Sequence, residues 1–220
     1  MNLQKIKAVI FDLDGTLLDT LADIGAGANT ALRRFGLPER SRSDYRRFVG
    51  HGIRSLLRAA VPADVPEEVY EQVVAFYLDY YPEHSMKLTD YFPGTQAFLQ
   101  ALESRGLRLA VLSNKTEKTT DRIIGKYFPQ VPWEFVWGNN GVRPLKPDPE
   151  AGHLACQTLG LAPEEILFVG DGDTDMEFAS KMGFVAAGVT WGYRDPDELL
   201  TAGADFLVDS FAQLWEKLDS

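Results

Sequence analysis

The sequence predicts an α/β fold: a doubly wound parallel sheet with an all-helical domain inserted after its first strand. Two short apolar runs, residues 8–11 and 166–169, each give way abruptly to aspartate and glycine. Runs of this length, closed by polar residues, read as strands buried on both faces, and such strands belong to parallel sheets. From Pro93 onward strand-like and helix-like stretches alternate, the pattern that winds such a sheet.

The first strand stops at Asp12, within I-K-A-V-I-F-D-L-D-G-T-L. Helical periodicity then takes over. Thr20 with Asp23 has the character of a capping box, with Asp in place of the usual Glu or Gln, and Leu21, Ile24, Ala28, Ala31, Leu32 and Phe35 recur at helical spacing up to Gly36. A second amphipathic stretch covers residues 45–60. A third begins after Pro66 and carries Val69, Val73, Phe76, Tyr77 and Tyr80 on one face. Pro82 and the polar run 84–87 are expected to return the chain to the main domain, so residues 1–17 and 86–220 read as the core and 18–85 as the helical insert.

In the second half the expected order is a helix over 94–104, a strand over 108–112, a helix over 117–127 and a short strand over 134–137. A helix over 149–159, the strand 166–169, a helix over 175–182 and a strand over 184–189 come next. The chain closes with 197–202 as helix, 206–208 as strand and a C-terminal helix. No internal repeat or low-complexity segment interrupts this order.

At 220 residues, 45% hydrophobic and 25% charged, the chain has ordinary globular composition and ample material for a core. Its net charge of −10 argues against nucleic-acid or anionic-membrane partners, which reward a basic surface. No apolar run approaches the ~18 residues that span a bilayer, and Lys5, Lys7 and Asp12 come too early for a secretory leader. Cys156 is the single cysteine, so no intrachain disulfide forms and the thiol is read as helix packing. A soluble cytoplasmic protein, monomer or homodimer, is the expectation.

Parallel sheets keep their ligands just past the carboxyl ends of their strands, where Asp12 and Asp14 stand. Two acids one residue apart repel unless a cation lies between them, and hard oxygen ligands suit magnesium. Gly15 allows a sharp turn and close approach to a ligand; Thr16 offers a hydroxyl. An Asp-rich turn is the plain alternative, but D-x-D-G-T arises by chance in roughly one chain of this length in a few hundred. Downstream, the strand 108–112 runs into Ser113 and Asn114, Lys146 lies in the proline-stiffened L-K-P-D-P, and the strand 166–169 runs into G-D-G-D-T-D with Asp171, Asp173 and Asp175. A helix-loop-helix calcium loop is the rival for that last string, but Met182 stands where its bidentate Glu is needed.

Taken in order, D-L-D-G-T, Ser113-Asn114, K-P-D-P and G-D-G-D-T-D resemble the four motifs of the haloacid dehalogenase superfamily of phosphohydrolases. The resemblance implies a Rossmann-like core with a helical cap over residues 18–85, Mg²⁺ as cofactor and a small phosphorylated metabolite, a phosphoric monoester, as substrate. It implies Asp12 as nucleophile, Asp14 as general acid and base, and Lys146 as the cation offsetting the charge of nucleophile and phosphate. Ser113, Asn114, Gly15 and Thr16 would then hold phosphoryl oxygens, and Asp12, Asp14, Asp171 and Asp175 would surround the metal. Asp173 has no counterpart and is expected to face solvent or to cap a helix.

Within that superfamily, dehalogenases lack the second acid of D-L-D, phosphonate hydrolases use a cap lysine that is missing between Lys7 and Lys87, and sugar-phosphate mutases carry a histidine where Ile24 stands. D-T-L-A-D-I and V-G-H-G-I-R-S-L-L-R-A-A are most similar to phosphoglycolate phosphatases. Gly50 and Gly52 would let a cap loop approach the site, and Arg54 would meet a substrate carboxylate. Pyrophosphate, sugar phosphates and nucleotides remain alternative substrates, and a non-catalytic binding or regulatory module is the alternative of a different class.

Overall fold

A computed structural model of the protein describes residues 3–219. The first strand, β1 (Ala8–Phe11), and the two-residue β2 (Leu18–Asp19) precede four helices, α1 (Leu21–Arg34), α2 (Arg42–Phe48), α3 (Ile53–Ala60) and α4 (Glu67–His84). β3 (Asp90–Tyr91) pairs antiparallel with β2, so the chain leaves and re-enters this helical segment along one short ribbon. The alternating half then runs α5 (Thr95–Ser104), β4 (Arg108–Thr116), α6 (Glu117–Tyr127), β5 (Trp133–Asn139), α7 (Glu150–Leu159), β6 (Ile166–Gly170), α8 (Asp173–Met182), β7 (Val185–Val189), α9 (Pro196–Thr201), β8 (Phe206–Val208) and α10 (Phe211–Asp219).

The main sheet has the order β5-β4-β1-β6-β7-β8 with every pair parallel. This is the doubly wound α/β architecture read from the sequence. β1 sits at its centre because all four of its side chains are apolar and buried, which only a strand covered on both faces permits. Its alternation divides the core. Val9 and Phe11 pack with Phe98, Leu102, Ile123, Phe211 and Leu214 on one face; Ala8 and Ile10 pack with Ala155, Leu159, Met176, Phe178 and Leu199 on the other. Burying side chains of this size stabilises by ~1.5–3 kcal/mol each, so register slips of β1 are strongly disfavoured.

The helical segment has a hydrophobic cluster of its own, built from Leu21, Ile24, Leu32, Tyr45, Leu57, Val73 and Tyr77 among others. Three local expectations differ there. Residues 45–60 are not one helix: α2 ends at Phe48 and α3 starts at Ile53, because Gly50 and Gly52 take φ of +121° and +82°, conformations no helix contains. Pro82 does not end α4, which runs two residues further; so near the C-terminus the proline forgoes little more than one ladder bond.

Thr20 and Asp23 do not form a capping box either, since Thr20 makes no side-chain cap bond. One Asp23 oxygen instead accepts from the backbone amides of Lys87, Leu88 and Thr89 and from the Thr89 hydroxyl, at 2.7–3.1 Å. A buried carboxylate of α1 thus anchors the returning chain 64–66 residues later. The remaining elements match within a few residues, the largest change being β4, which continues through Ser113 and Asn114 to Thr116. No helix among the described residues is long and apolar enough to cross a membrane.

Asp23→Ala removes the shared acceptor of four donors, and hydrogen bonds to a charged group are the strong ones. The substitution is expected to destabilise the protein by about 3 kcal/mol in urea unfolding, with Asp23→Asn losing less because one carbonyl oxygen remains.

Candidate active site

β1, β4 and β6 are in register, with Phe11 opposite both Val111 and Val169. Their carboxyl ends therefore fall at one level, and Asp12, Ser113 and Asp171 emerge side by side. Asp12, Asp171 and Asp175 are all buried, and each has an oxygen within 4.8 Å of the others'. Asp175 joins them because α8 starts immediately after β6 and its first turn folds back, the Asp175 carboxylate accepting from the Gly172 amide at 2.9 Å.

Lys146 enters this group from the loop before α7. Its ammonium donates to Asp12 at 2.8 Å, to Asp175 at 2.7 Å and to the Leu112 carbonyl at 2.7 Å, which uses all three of its hydrogens. Burial opposes its charge, but the Asp12 and Asp175 carboxylates hold the ammonium above the usual lysine range. Burial raises the Asp12 carboxyl to about 7; Lys146 opposes that rise, while Asp175 and Asp14 add to it. Asp171 is raised well above the usual range by burial and then by Asp12 and Asp175.

With all three carboxylates ionised, one ammonium leaves two negative charges uncompensated, which is why burial and mutual repulsion raise Asp12 and Asp171. Unit charges ~5 Å apart repel by on the order of 3 kcal/mol even at an effective dielectric near 20, so the trio fits a divalent cation bound through hard oxygen donors.

The opening turn is shaped for this cluster. Gly15 has φ of +87°, and a Cβ there would lie 2.2 Å from an Asp171 oxygen. Thr16 donates its hydroxyl to Asp171 at 2.9 Å, so it orients an acid instead of offering that hydrogen to phosphate as expected. Asp14 departs from expectation as well. Its carboxylate is outside the acidic trio and accepts from Lys115 Nζ at 2.9 and 3.1 Å and from the Thr20 hydroxyl at 2.5 Å. As a side chain it faces the cleft, not the cation site.

Ser113 is buried and lines the cleft; its oxygen accepts from the Lys115 amide at 3.3 Å, which leaves its own O–H for a ligand. The Asn114 side-chain amide is already committed. Its oxygen accepts from the Lys146 amide at 2.8 Å, and its nitrogen donates to the carbonyls of Lys146 and Gly50 at 2.9 Å each. Asn114 thereby pins the Lys146 loop and ties it to the loop between α2 and α3.

That loop forms part of the roof. Gly50 and Gly52 line the cleft together with Ile24, Ile53, Leu56, Tyr77 and Tyr81, and a Cβ on Gly52 would lie 2.8 Å from the Leu145 side chain. Arg54 does not reach the cleft: it makes a bidentate pair with Glu71 at 2.7 and 2.9 Å on an exposed face. Asp173 is the first residue of α8, not its cap, and it stays partly exposed. It pairs with Arg194 at 3.2 Å and His51 at 3.3 Å, and chiefly the His51 contact lowers it to about 2. Cys156 is partly buried on α7 and burial raises its thiol, which suits packing.

Sequence reasoning missed Lys115, although it directly follows Ser113-Asn114. It also missed the loop after β7. The Tyr193 amide donates to Asp171 at 2.8 Å while the Tyr193 ring packs in the helical segment's cluster. Arg194 donates to the carbonyls of Arg46, Arg47 and Val49 at the end of α2. W-G-Y-R carries no motif that announces contacts more than 140 residues away.

The cleft opens to solvent on one side, and its interior space is about 70 Å³, on the measure by which one water needs roughly 10–15 Å³. It admits a phosphoryl group and a few further atoms.

Comparison with known proteins agrees with this geometry. The model of the family described as "Haloacid dehalogenase-like hydrolase" matches residues 9–189. A phosphoglycolate phosphatase of Chromobacterium violaceum is 33% identical over 98% of both chains. An N-acetylmuramic acid 6-phosphate phosphatase of Pseudomonas aeruginosa is 34% identical over 100% of this chain and 97% of its own. The crystal structure of a predicted phosphoglycolate phosphatase from Haemophilus somnus superposes with a TM-score of 0.90 at 28% identity, covering 97% of this chain and 98% of that one.

Asn114→Ala strands the buried amide and carbonyl of Lys146, each such loss costing ~1–3 kcal/mol. Lower thermal stability and at least a tenfold loss of phosphatase kcat/KM are expected together, because the Lys146 loop loses its anchor. Gly15→Ala is expected to displace Asp171 and to abolish turnover while the far-ultraviolet circular dichroism stays that of the folded chain.

Proposed function

This chain belongs to the haloacid dehalogenase-like hydrolases and is a phosphoric monoester hydrolase, and from that premise we propose that it is a Mg²⁺-dependent phosphatase of 2-phosphoglycolate working through an aspartyl-phosphate intermediate. The observation that carries the reading is Asp12 itself. It is a buried carboxylate at the end of the central strand, held by Lys146, facing a cavity of about 70 Å³ under an apolar roof. A carboxylate so placed is a nucleophile in search of a small electrophile.

In the proposed reaction an Asp12 oxygen forms a bond to phosphorus in line with the ester oxygen, whose bond to phosphorus breaks. Asp14, at the cleft side of the same turn, gives its proton to the departing alcohol oxygen and later takes one from the water that cleaves the acyl phosphate. Release of phosphate restores the Asp12 carboxylate. The Ser113 O–H donates to a phosphoryl oxygen, and Lys146 balances charge as it shifts from nucleophile to phosphoryl group. Asp12, Asp171 and Asp175 would hold the Mg²⁺ ion, which would supply electrostatic stabilisation of the phosphoryl group and relieve the repulsion among the acids. Helices α1–α4 act as a cap that excludes water from this chemistry.

The cavity's size favours 2-phosphoglycolate over a phosphorylated amino sugar. The second reading is an N-acetylmuramic acid 6-phosphate phosphatase, supported by the 34% identity to that relative; it requires the roof to open further. A kcat/KM comparison of the two substrates separates them, and a preference for the sugar phosphate above tenfold overturns the first.

Asp12→Asn is expected to abolish turnover of p-nitrophenyl phosphate while leaving the melting temperature near or above that of the parent, since a buried charge is removed. Substantial residual activity would refute the nucleophile assignment. Mg²⁺ is expected to raise the melting temperature by mass action and EDTA to reverse it; Asp171→Asn should lose most of that shift.

A further inference from the structure

Three cations line the cleft among the described residues: Lys146, Arg194 and Lys115. The first has every hydrogen engaged by Asp12, Asp175 and Leu112. The guanidinium of Arg194 is committed to three carbonyls around the end of α2 and to Asp173. Lys115 is the cation that pairs with the proposed general acid. Its ammonium, with a side chain 7% exposed, contacts both oxygens of Asp14 and the Tyr81 hydroxyl at 3.1 Å.

Resting on the substrate reading above, we propose that Lys115, with Tyr81, is the specificity subsite for the carboxylate of the leaving alcohol. Asp14 marks where the ester oxygen must lie. In 2-phosphoglycolate the carboxyl carbon is bonded directly to the carbon bearing that oxygen, so the group that binds the carboxylate must neighbour the general acid. Lys115 does so at hydrogen-bond distance. The Tyr81 oxygen accepts from Lys115, which leaves the phenol's own O–H to be donated into the cleft. A carboxylate arriving there receives one charged and one neutral donor.

Ile24, Ile53 and Leu56 wall the cleft and keep water from screening the contact. A leaving group with no anion leaves Lys115 on Asp14 and gains nothing from it. Arg54, the cation the sequence suggested for this task, is held by Glu71 outside the cleft.

The test compares kcat/KM for 2-phosphoglycolate and for ethyl phosphate, which lacks only the carboxylate function, in the parent enzyme, Lys115→Met, Lys115→Arg and Tyr81→Phe. The parent is expected to prefer 2-phosphoglycolate. Lys115→Met should slow both substrates, because Asp14 loses its partner, but the preference should fall by roughly 10- to 100-fold, the range set by losing a charged hydrogen bond. That loss should appear mainly as a higher KM for 2-phosphoglycolate. Lys115→Arg should restore part of the preference, and Tyr81→Phe should lower it by a smaller factor.

An unchanged preference in Lys115→Met, with both substrates slowed alike, reduces Lys115 to positioning Asp14 and overturns the proposal alone. A parent enzyme that shows no preference for 2-phosphoglycolate overturns the substrate reading and the proposal together. Circular dichroism and melting curves of each variant identify any change that comes from misfolding, and the arginine variant then decides the matter with charge retained.

Discussion

The contact on which the site depends is the buried ammonium of Lys146 between Asp12 and Asp175. Taking one carboxylate out of water is expensive, and gathering three in one pocket is more so. The structure tolerates the arrangement because the lysine satisfies two of the acids and a strand-end carbonyl at once. Its reach is made reliable from below: Asn114 bonds both the amide and the carbonyl of the same residue. The lysine is therefore held in place before any ligand arrives, and the acids remain short of positive charge by an amount a divalent ion can supply. The same imbalance that is costly in the resting protein suits the pocket to a divalent cation.

A second set of contacts joins this pocket to the helices above it. Asp171 accepts from the Tyr193 amide and the Thr16 hydroxyl. The Tyr193 ring lies in the helical segment's own cluster, and its hydroxyl accepts from the Thr20 amide at 3.0 Å. Arg194 finishes the carbonyls around the end of α2, where a cation also meets the negative end of the helix dipole. One loop thus touches an acid of the trio with its backbone and the roof with its side chains. Position of the roof and orientation of the acid are set by the same few residues.

The gathering of polar groups at the site was legible because they lie at strand ends. Asp12, Ser113 and Asp171 each follow an apolar run, and parallel pairing brings such ends to one level. Asp14 was legible as a residue but not in its surroundings, because its partner Lys115 lies 101 positions away and short-range pattern carries no such information. Thr16 and Asn114 were recognised as polar residues at the site, yet their hydrogen bonds turn inward to hold Asp171 and Lys146. Arg54 shows the opposite error. A helical arginine near the expected roof looked like a ligand group, and Glu71 on the neighbouring helix holds it on the outer face.

What the sequence determined by itself is what depends on neighbours along the chain: the buried strands, the alternation of strands and helices, and the aspartates at strand ends. These follow from polarity and backbone freedom over a few residues. Which hydroxyl bonds an acid and which keeps its hydrogen for the cleft, which cation pairs with Asp14, and how much room the roof leaves were decided only by the tertiary structure. Those outcomes depend on side chains from distant segments competing for the same donors and acceptors, and that competition is settled by packing in three dimensions.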